Sequence, residues 1–371
     1  MNVLKRDGTV QEFNAEKIIR AVGLSALKVN AKLEPADYTQ IAQAVKQDLI
    51  KRELASPVAV DDIHLSVENV LWELNRELYK EYRSYNNSKK RFNYSFNNIL
   101  KEAENVIYNG DKENANKDTC IISTKKEVVA GIVASELYLN YELPKHLATA
   151  HKELAMYIHD TRDRYFNSIN CCLFDVANLF KNGFRLNGTY IKEPKGIESA
   201  LDLLNDVIMC ASSQQYGGFT VPLIDEIFAP YAEKTYKQLI SAGKSDVEAI
   251  DIIKGIIFRK VKSLQYKVNT VNNANGQTAF VTWTFGLGTD RFAQLITEGI
   301  LDVRAKYFAI FPKLIYMHVD EYSGPGAVNE YLYKKAIQVT MKQMYPDYLS
   351  GNAGVQREVF DRTGTMISMM G

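Results

Sequence analysis

Apolar residues recur at helical intervals through three successive segments near the N-terminus. The first carries Ile18, Ile19 and Val22 behind Asn14, a residue type suited to capping a helix. The second runs from about Pro35 to Lys51, with Tyr38, Ile41, Val45 and Leu49 on one stripe. The third begins at Asp61 or Asp62 and presents Ile63, Val67, Val70, Leu71, Leu74 and Leu78 along one face. Ahead of them, "NVLKRDGTVQEF" holds an Asp-Gly turn between two short strand-like runs, which predicts a hairpin. The basic, Asn- and Ser-rich stretch "EYRSYNNSKKRF" then breaks the pattern. It marks the expected boundary between a small α+β domain at 1–92 and a second domain at 93–371, with "SKKR" read as a solvated patch.

Beyond the boundary, "FNNILKEAENVIYNG" predicts a helix closed by Gly110, "ENANKDTCIIST" a polar connector, and residues 126–158 two more helices. Strand-like runs at 169–176, 218–225, 278–286 and 311–319 then alternate with helical segments at 197–214, 232–264 and 289–305. Strand–helix alternation of this kind predicts an α/β fold with parallel strands joined by crossovers. In "TAFVTWTFGLG" neither alternate set is charged, so both faces of that strand should meet protein.

Composition narrows the class. The 371 residues are 46% hydrophobic and 24% charged, ordinary globular values. A net charge of +1 provides no basic field for nucleic acid or an anionic membrane. The N-terminus lacks an apolar signal core and no run is long enough to span a bilayer, so neither a nucleic-acid nor a membrane partner is expected. The four cysteines, at 120, 171, 172 and 210, have no Cys-x-x-Cys spacing. That argues against a disulfide framework or zinc ribbon and for a reducing cytosol. His146, His151 and His159 are spaced five and eight apart, which does not gather them on one helical face, so no metal site is expected.

Cys171 and Cys172 are adjacent in a predicted strand, so they should point to opposite faces. Neighbouring Cα atoms stand about 3.8 Å apart, too close for an ordinary bridge. The pair therefore reads as one working and one packing thiol, or as two small buried hydrophobes. The surrounding words decide for the first. "IHDTRDRYFNSINCCLFDVANLFKNGF", "SSQQYGGFTVPLIDEIFAPY", "LQYKVNTVNNANGQTAFVTWTFGLGTD", "IFPKLIYMHVD" and "QMYPDYLSGNAGVQREVFDRTGTMISMMG" together resemble the anaerobic (class III) ribonucleoside-triphosphate reductases, which are glycyl-radical enzymes.

The resemblance implies the first half of a ten-stranded α/β barrel, with Cys171 projecting into it as a hydrogen donor and Cys172 packing behind. In that family a thiyl radical removes the 3′ hydrogen of a ribonucleoside triphosphate, and the 2′-hydroxyl leaves as water. Formate or a small redox protein is the final reductant. The chain stops at Met370-Gly371, where the family continues with the thiyl cysteine. The glycyl radical and a zinc site are expected beyond that point, in a C-terminal half that this chain needs as a partner; an isolated half-barrel is expected to be poorly soluble. A homodimer and a radical-SAM activase are further expected partners. The family also places a specificity-effector loop at Gly286, Leu287, Gly288 and Thr289.

"VLKRDGTVQEFNAEKI", "VDDIHLSVENVL" and "EYRSYNNSKKR" resemble the ATP-cone, an allosteric module that binds ATP or dATP. The resemblance carries nucleotide contacts to Val3, Lys5, Arg6, Asn14, Lys17 and His64, with the cations on phosphates. Gln11 stands where some members have an acid. The residues alone allow a plain charged hairpin turn. Without a P-loop, nucleotide here is effector and not fuel. "YGGFT" and "FGLGT" are weak phosphate-loop signals by themselves. Two other readings remain open from sequence: a nucleotide-sensing subunit without catalysis, and a glycyl-radical enzyme of the formate-lyase type.

Overall fold

The computed structural model describes residues 1–5, 8–110, 117–165 and 168–366. The chain divides into two compact units, Met1–Lys101 with Asn140–Ala148, and Glu102–Leu139 with Thr149–Gly371.

In the first unit, β1 (Asn2–Leu4) and β2 (Val10–Glu12) form the expected antiparallel hairpin. Its turn closes through the Gly8 amide on the Lys5 carbonyl (3.0 Å), with Gly8 at φ +82°, where a side chain is disfavoured. Helix α1 (Ala15–Lys28) starts at Asn14, whose Oδ1 accepts the Glu16 amide at 2.8 Å. Helix α2 (Pro35–Lys51) starts with a reciprocal Glu34–Asp37 cap and Pro35 in its first turn. Strand β3 (Val58–Ala59) lies parallel to β1 in a sheet ordered β2-β1-β3, and leads into α3 (Val60–Leu74). Val22, Val45, Val67, Leu71 and Leu78 are fully buried in this unit's core.

Leu78 is not on the third helix. Asn75 leaves the helical region (φ −155°), and its Oδ1 accepts the amides of Glu77 and Leu78, opening a new helix, α4 (Arg76–Asn109). The stretch read as a boundary lies inside α4. Its residues alternate apolar and polar at helical spacing, so the backbone runs through it as helix.

The second unit takes in the end of α4 from Glu102, then α5 (Ile122–Leu137) and part of α6 (Lys145–Lys152). It continues with β4 (Cys172–Leu173), α7 (Val176–Asn182), the hairpin β5 (Phe184–Leu186) and β6 (Thr189–Ile191), α8 (Ile197–Ser212), β7 (Phe219–Val221), α9 (Ile224–Ser241) and α10 (Asp246–Thr270). After these come β8 (Val281–Phe285), α11 (Arg291–Lys306), β9 (Lys313–His318), α12 (Asp320–Ser323), α13 (Glu330–Gln343), β10 (Asp347–Ser350) and α14 (Gly354–Thr363). Five strands pair in parallel in the order β10-β9-β8-β7-β4, so each crossover returns to a neighbouring strand.

Register decides the faces. Cys172, Phe219 and Val281 align, as do Val221, Trp283 and Leu314, and Phe285 with Tyr316. These side chains pack with α8–α11 and α13 in the main core. The alternate set includes Leu173, Thr220 and Thr282, with Thr284 beside Ile315 and Met317 beside Leu349. On this second face Leu287, Met317, Val319, Phe360 and Met366 gather a smaller cluster. All five residues of β8 are buried, as its lack of charge predicted.

Three expectations change. The long helix at 232–264 is two helices, broken by Gly243 at φ +83° and restarted by a Ser245–Glu248 capping box. The strand at 169–176 shrinks to β4 because Asp175 turns the chain, its Oδ1 accepting the Asn178 amide at the start of α7. Two elements were unread: the β5–β6 hairpin, built on an Asn187-Gly188 turn with both residues at positive φ, and β10, whose polar "DYLS" follows Pro346 and reads as a loop.

Helices α10 and α11 meet at Gly299, where an added Cβ would stand 2.4 Å from Ile257 Cγ2. Ile257 is fully buried and has no room to retreat. Gly299→Ala is therefore expected to destabilise the second unit by ~1–3 kcal/mol, read as a lower denaturant midpoint at unchanged slope.

Candidate functional site

The first unit holds a cavity of 390 Å³, within the range of small-ligand pockets. Val3, Lys5, Asn14, Lys17 and His64 all line it. Arg6 lies outside the described residues. Val3 is buried on β1 and forms apolar wall. Lys17 Nζ donates to Gln11 Oε1 at 3.1 Å, and Asn14 Oδ1 is committed to its helix cap. His64 Nδ1 lies 2.8 Å from the Tyr82 hydroxyl. Burial, then the nearby Glu68, push the Tyr82 pKa up, so the phenol stays neutral.

Sequence reading missed Glu12, Arg20, Tyr85, Asn86 and Lys89, which also line the cavity. Glu12, one residue past Gln11, supplies the one carboxylate that the described residues bring to the lining. Tyr82, Tyr85, Asn86 and Lys89 share one face of α4, a three- and four-residue spacing that was visible in "YRSYNNSKK". Lys89, read as solvated, thus joins Lys5, Lys17 and Arg20. Among the described residues four cations and one carboxylate line this cavity, a balance that suits an anionic ligand.

The second site lies at the start of β4. Cys171 Sγ accepts the Gly218 amide at 3.2 Å and lies 3.1 Å from Asn170 Oδ1 as donor. Cys172 Sγ donates to Gln215 Oε1 at 3.0 Å and packs against the main core. Burial first, and Cys171 second, raise the Cys172 pKa, so it is a thiol at neutral pH. Ladder bonds continue below β4, from the Gly217 amide to the Asn170 carbonyl and the Cys172 amide to the Gly218 carbonyl. Alternation along this ladder turns Cys171 away from the face that Cys172 and Phe219 present to the helices.

Ser168, Gln214 and Tyr216, from the same two segments, line a 350 Å³ cavity with Lys117, Arg162 and Asp163. Burial, then Asp160, push the Tyr216 pKa up.

The loop at 286–289 is held from inside. The Gly286 and Gly288 amides donate to Asp225 Oδ2 at 2.9 and 3.2 Å, and Asn329 Nδ2 donates to both of their carbonyls. Burial raises the Asp225 pKa, opposed by these amides, the Glu226 amide and the Thr297 hydroxyl. Gly286, Leu287 and Gly288 are buried, and Thr289 alone of the four is exposed. The histidines have separate partners: His151 Nδ1 accepts the Ile158 amide at 3.1 Å, and His159 pairs with Asp160 at 2.5 Å. Among the described residues no group of three or more His, Cys, Asp or Glu side chains is placed to hold a metal ion. No helix among them is long and apolar enough to cross a membrane.

The second unit is a five-stranded parallel sheet with a thiol at the start of its edge strand β4, and the first unit, taken by itself, holds a ligand-sized cavity. The comparisons agree. Residues 113–371 match the family model described as anaerobic ribonucleoside-triphosphate reductase, and residues 1–91 match the ATP cone domain. The chain belongs to the anaerobic ribonucleoside-triphosphate reductase family. The Haemophilus influenzae protein of that name is 31% identical over 388 residues, covering 100% of this chain and 54% of its own length. The T4 phage protein of the same name is 34% identical over 278 residues, 68% of this chain and 44% of the relative. The chain spans about half the length of the curated relatives it matches. In fold it is similar to the Thermotoga maritima anaerobic ribonucleotide reductase. The structure with glycerol in the active site gives a TM-score of 0.53 at 14% identity, covering 69% of this chain and 46% of that one. The complex with dATP and CTP gives 0.51 at 13%, covering 71% and 50%.

Tyr82 and His64 tie α4 to α3. Tyr82→Phe is expected to cost the first unit ~1–2 kcal/mol, because it leaves a half-buried ring nitrogen without its partner. Faster amide exchange in α3 and α4 is the measurement.

Proposed function

We propose that this chain is the N-terminal portion of an enzyme that reduces ribonucleoside triphosphates to deoxyribonucleoside triphosphates, under control by ATP or dATP. The observation that carries the reading is the placement of Cys171: at the first strand of a five-stranded parallel sheet, it faces opposite the helix layer. Family membership supports the same assignment. Cys171 gives a hydrogen atom to the ribose as the 2′-hydroxyl departs as water. Formate, oxidised to carbon dioxide, or a redox protein supplies the electrons. The radical that starts the reaction and the zinc site are assigned to a C-terminal half. A homodimer, a radical-SAM activase and a cytosolic setting complete the expected context.

The first unit is the effector module. Lys5, Lys17, Arg20 and Lys89 face a triphosphate, Val3 meets the base, and His64 lies over the ligand. Arg6 is assigned to the same phosphates. Thr289 is the exposed residue of the 286–289 loop and the one that would meet a specificity effector, since the backbones of Gly286 and Gly288 are used internally and Leu287 is buried.

Calorimetry with ATP and dATP tests the module. Lys17→Ala and Lys89→Ala are each expected to weaken binding by about tenfold or more, the size of one charged hydrogen bond. No heat from the parent chain at high micromolar nucleotide would end the effector assignment. For catalysis, Cys171→Ser is expected to abolish deoxynucleotide formation in the enzyme completed with its C-terminal half, while Cys172→Ser retains it. Turnover by Cys171→Ser would overturn the reading.

A further inference from the structure

The Gly-Gly pair of "YGGFT" has the look of a phosphate loop, but neither amide is free for a phosphate. The Gly217 amide is spent on the Asn170 carbonyl at 2.8 Å, and the Gly218 amide on Cys171 Sγ at 3.2 Å. Gly217 has no positive φ, so its torsion is open to any residue. Space is what demands glycine there. A Cβ at 217 would stand 2.1 Å from Asn170 Oδ1, 2.6 Å from the Asn170 carbonyl oxygen and 2.7 Å from Cys171 Sγ. The carbonyl cannot retreat without breaking the ladder bond that joins the two segments below β4 and β7.

We propose that Gly217 and Asn170 are positioning residues for the Cys171 thiol: the missing side chain opens the slot that sulfur occupies, and the Asn170 amide oxygen, with the Gly218 N–H opposite, sets the direction of the S–H bond. The proposal rests on the reading of Cys171 as the reducing thiol. With the S–H on the Asn170 oxygen the sulfur is held at one place, and donation to a ribose then needs only a turn of the S–H about the Cβ–Sγ bond and no movement of the sulfur. Sulfur here has one donor and one acceptor, and its neighbour Cys172 is held by a different residue, Gln215. The two thiols are therefore oriented independently.

The test measures the thiol and not turnover. In the full chain carrying Cys172→Ser, alkylation of Cys171 by iodoacetamide is followed by peptide mass spectrometry at one fixed pH. Asn170→Ala frees the S–H and is expected to raise the rate about fivefold, the scale of one hydrogen bond. Asn170→Asp places a negative charge against the forming thiolate and is expected to lower it by a similar factor. A residue that merely shaped the backbone would not move the rate in opposite directions. Equal rates for the parent and both Asn170 variants overturn the orienting role. Gly217→Ala with the parent's Cys171 rate and the parent's unfolding midpoint overturns the slot; should that variant not fold, the Asn170 pair still decides. The functional reading fails separately: if Cys171→Ser keeps turnover while the Asn170 variants behave as expected, the cradle stands and the catalytic assignment falls.

Discussion

Side chains on a strand alternate, so the pairing register of one short strand decides which of two adjacent thiols meets the core. The ladder that sets Cys172 beside Phe219 commits it to the layer shared with α8–α11 and α13. A slip of one residue would exchange the two sulfurs and push Phe219 off its core face. That register is secured at both ends: by bonds from the Gly217 and Cys172 amides below the strand, and by Asp175 turning the chain above it. The β4 strand is only two residues long, yet its register is fixed because the ladder extends past the residues that count as strand.

The same economy of buried polar groups appears in the loop after β8. Asp225 is fully buried, no cation among the described residues is paired with it, and burial pushes its pKa up. It is retained because it satisfies the amides of Gly286 and Gly288 and the hydroxyl of Thr297, donors that would otherwise be unpaired in the interior. Asn329 answers their carbonyls from the other side. Gly288 leaves no space for a side chain, since a Cβ would meet the Ala293 methyl carbon at 2.4 Å. The Gly-x-Gly spacing of this loop is thus a packing requirement.

The small unit solves the opposite problem. Its cavity collects cations from β1's turn, from α1 and from α4, while its core is held by Val22, Val45, Val67 and Leu71. Stability comes from the apolar stripes, while the cations stand at the cavity. His64 serves both, bonded to the buried Tyr82 and lining the cavity.

Much of this architecture was legible from the chain alone. Helical stripes, the Asp-Gly hairpin, the strand–helix alternation and the family words around Cys171 are all local patterns, and local patterns are set by side-chain spacing and turn chemistry. The capping role of Asn75 and the helical state of "NNSKKR" were local and went unread. What spacing could not supply was anything that depends on two distant segments meeting. The recruitment of Tyr85, Asn86 and Lys89 into the cavity required α4 to fold back over α1 and β1. The place of Gly217 against Cys171 joins residues that are far apart in sequence and adjacent in the ladder. Residue types and their periods determined which elements form and which chemistry the chain carries; only the tertiary fold decided which sulfur faces the core, which amides are already spent, and which lysines share one space, because these are properties of contacts and not of order along the chain.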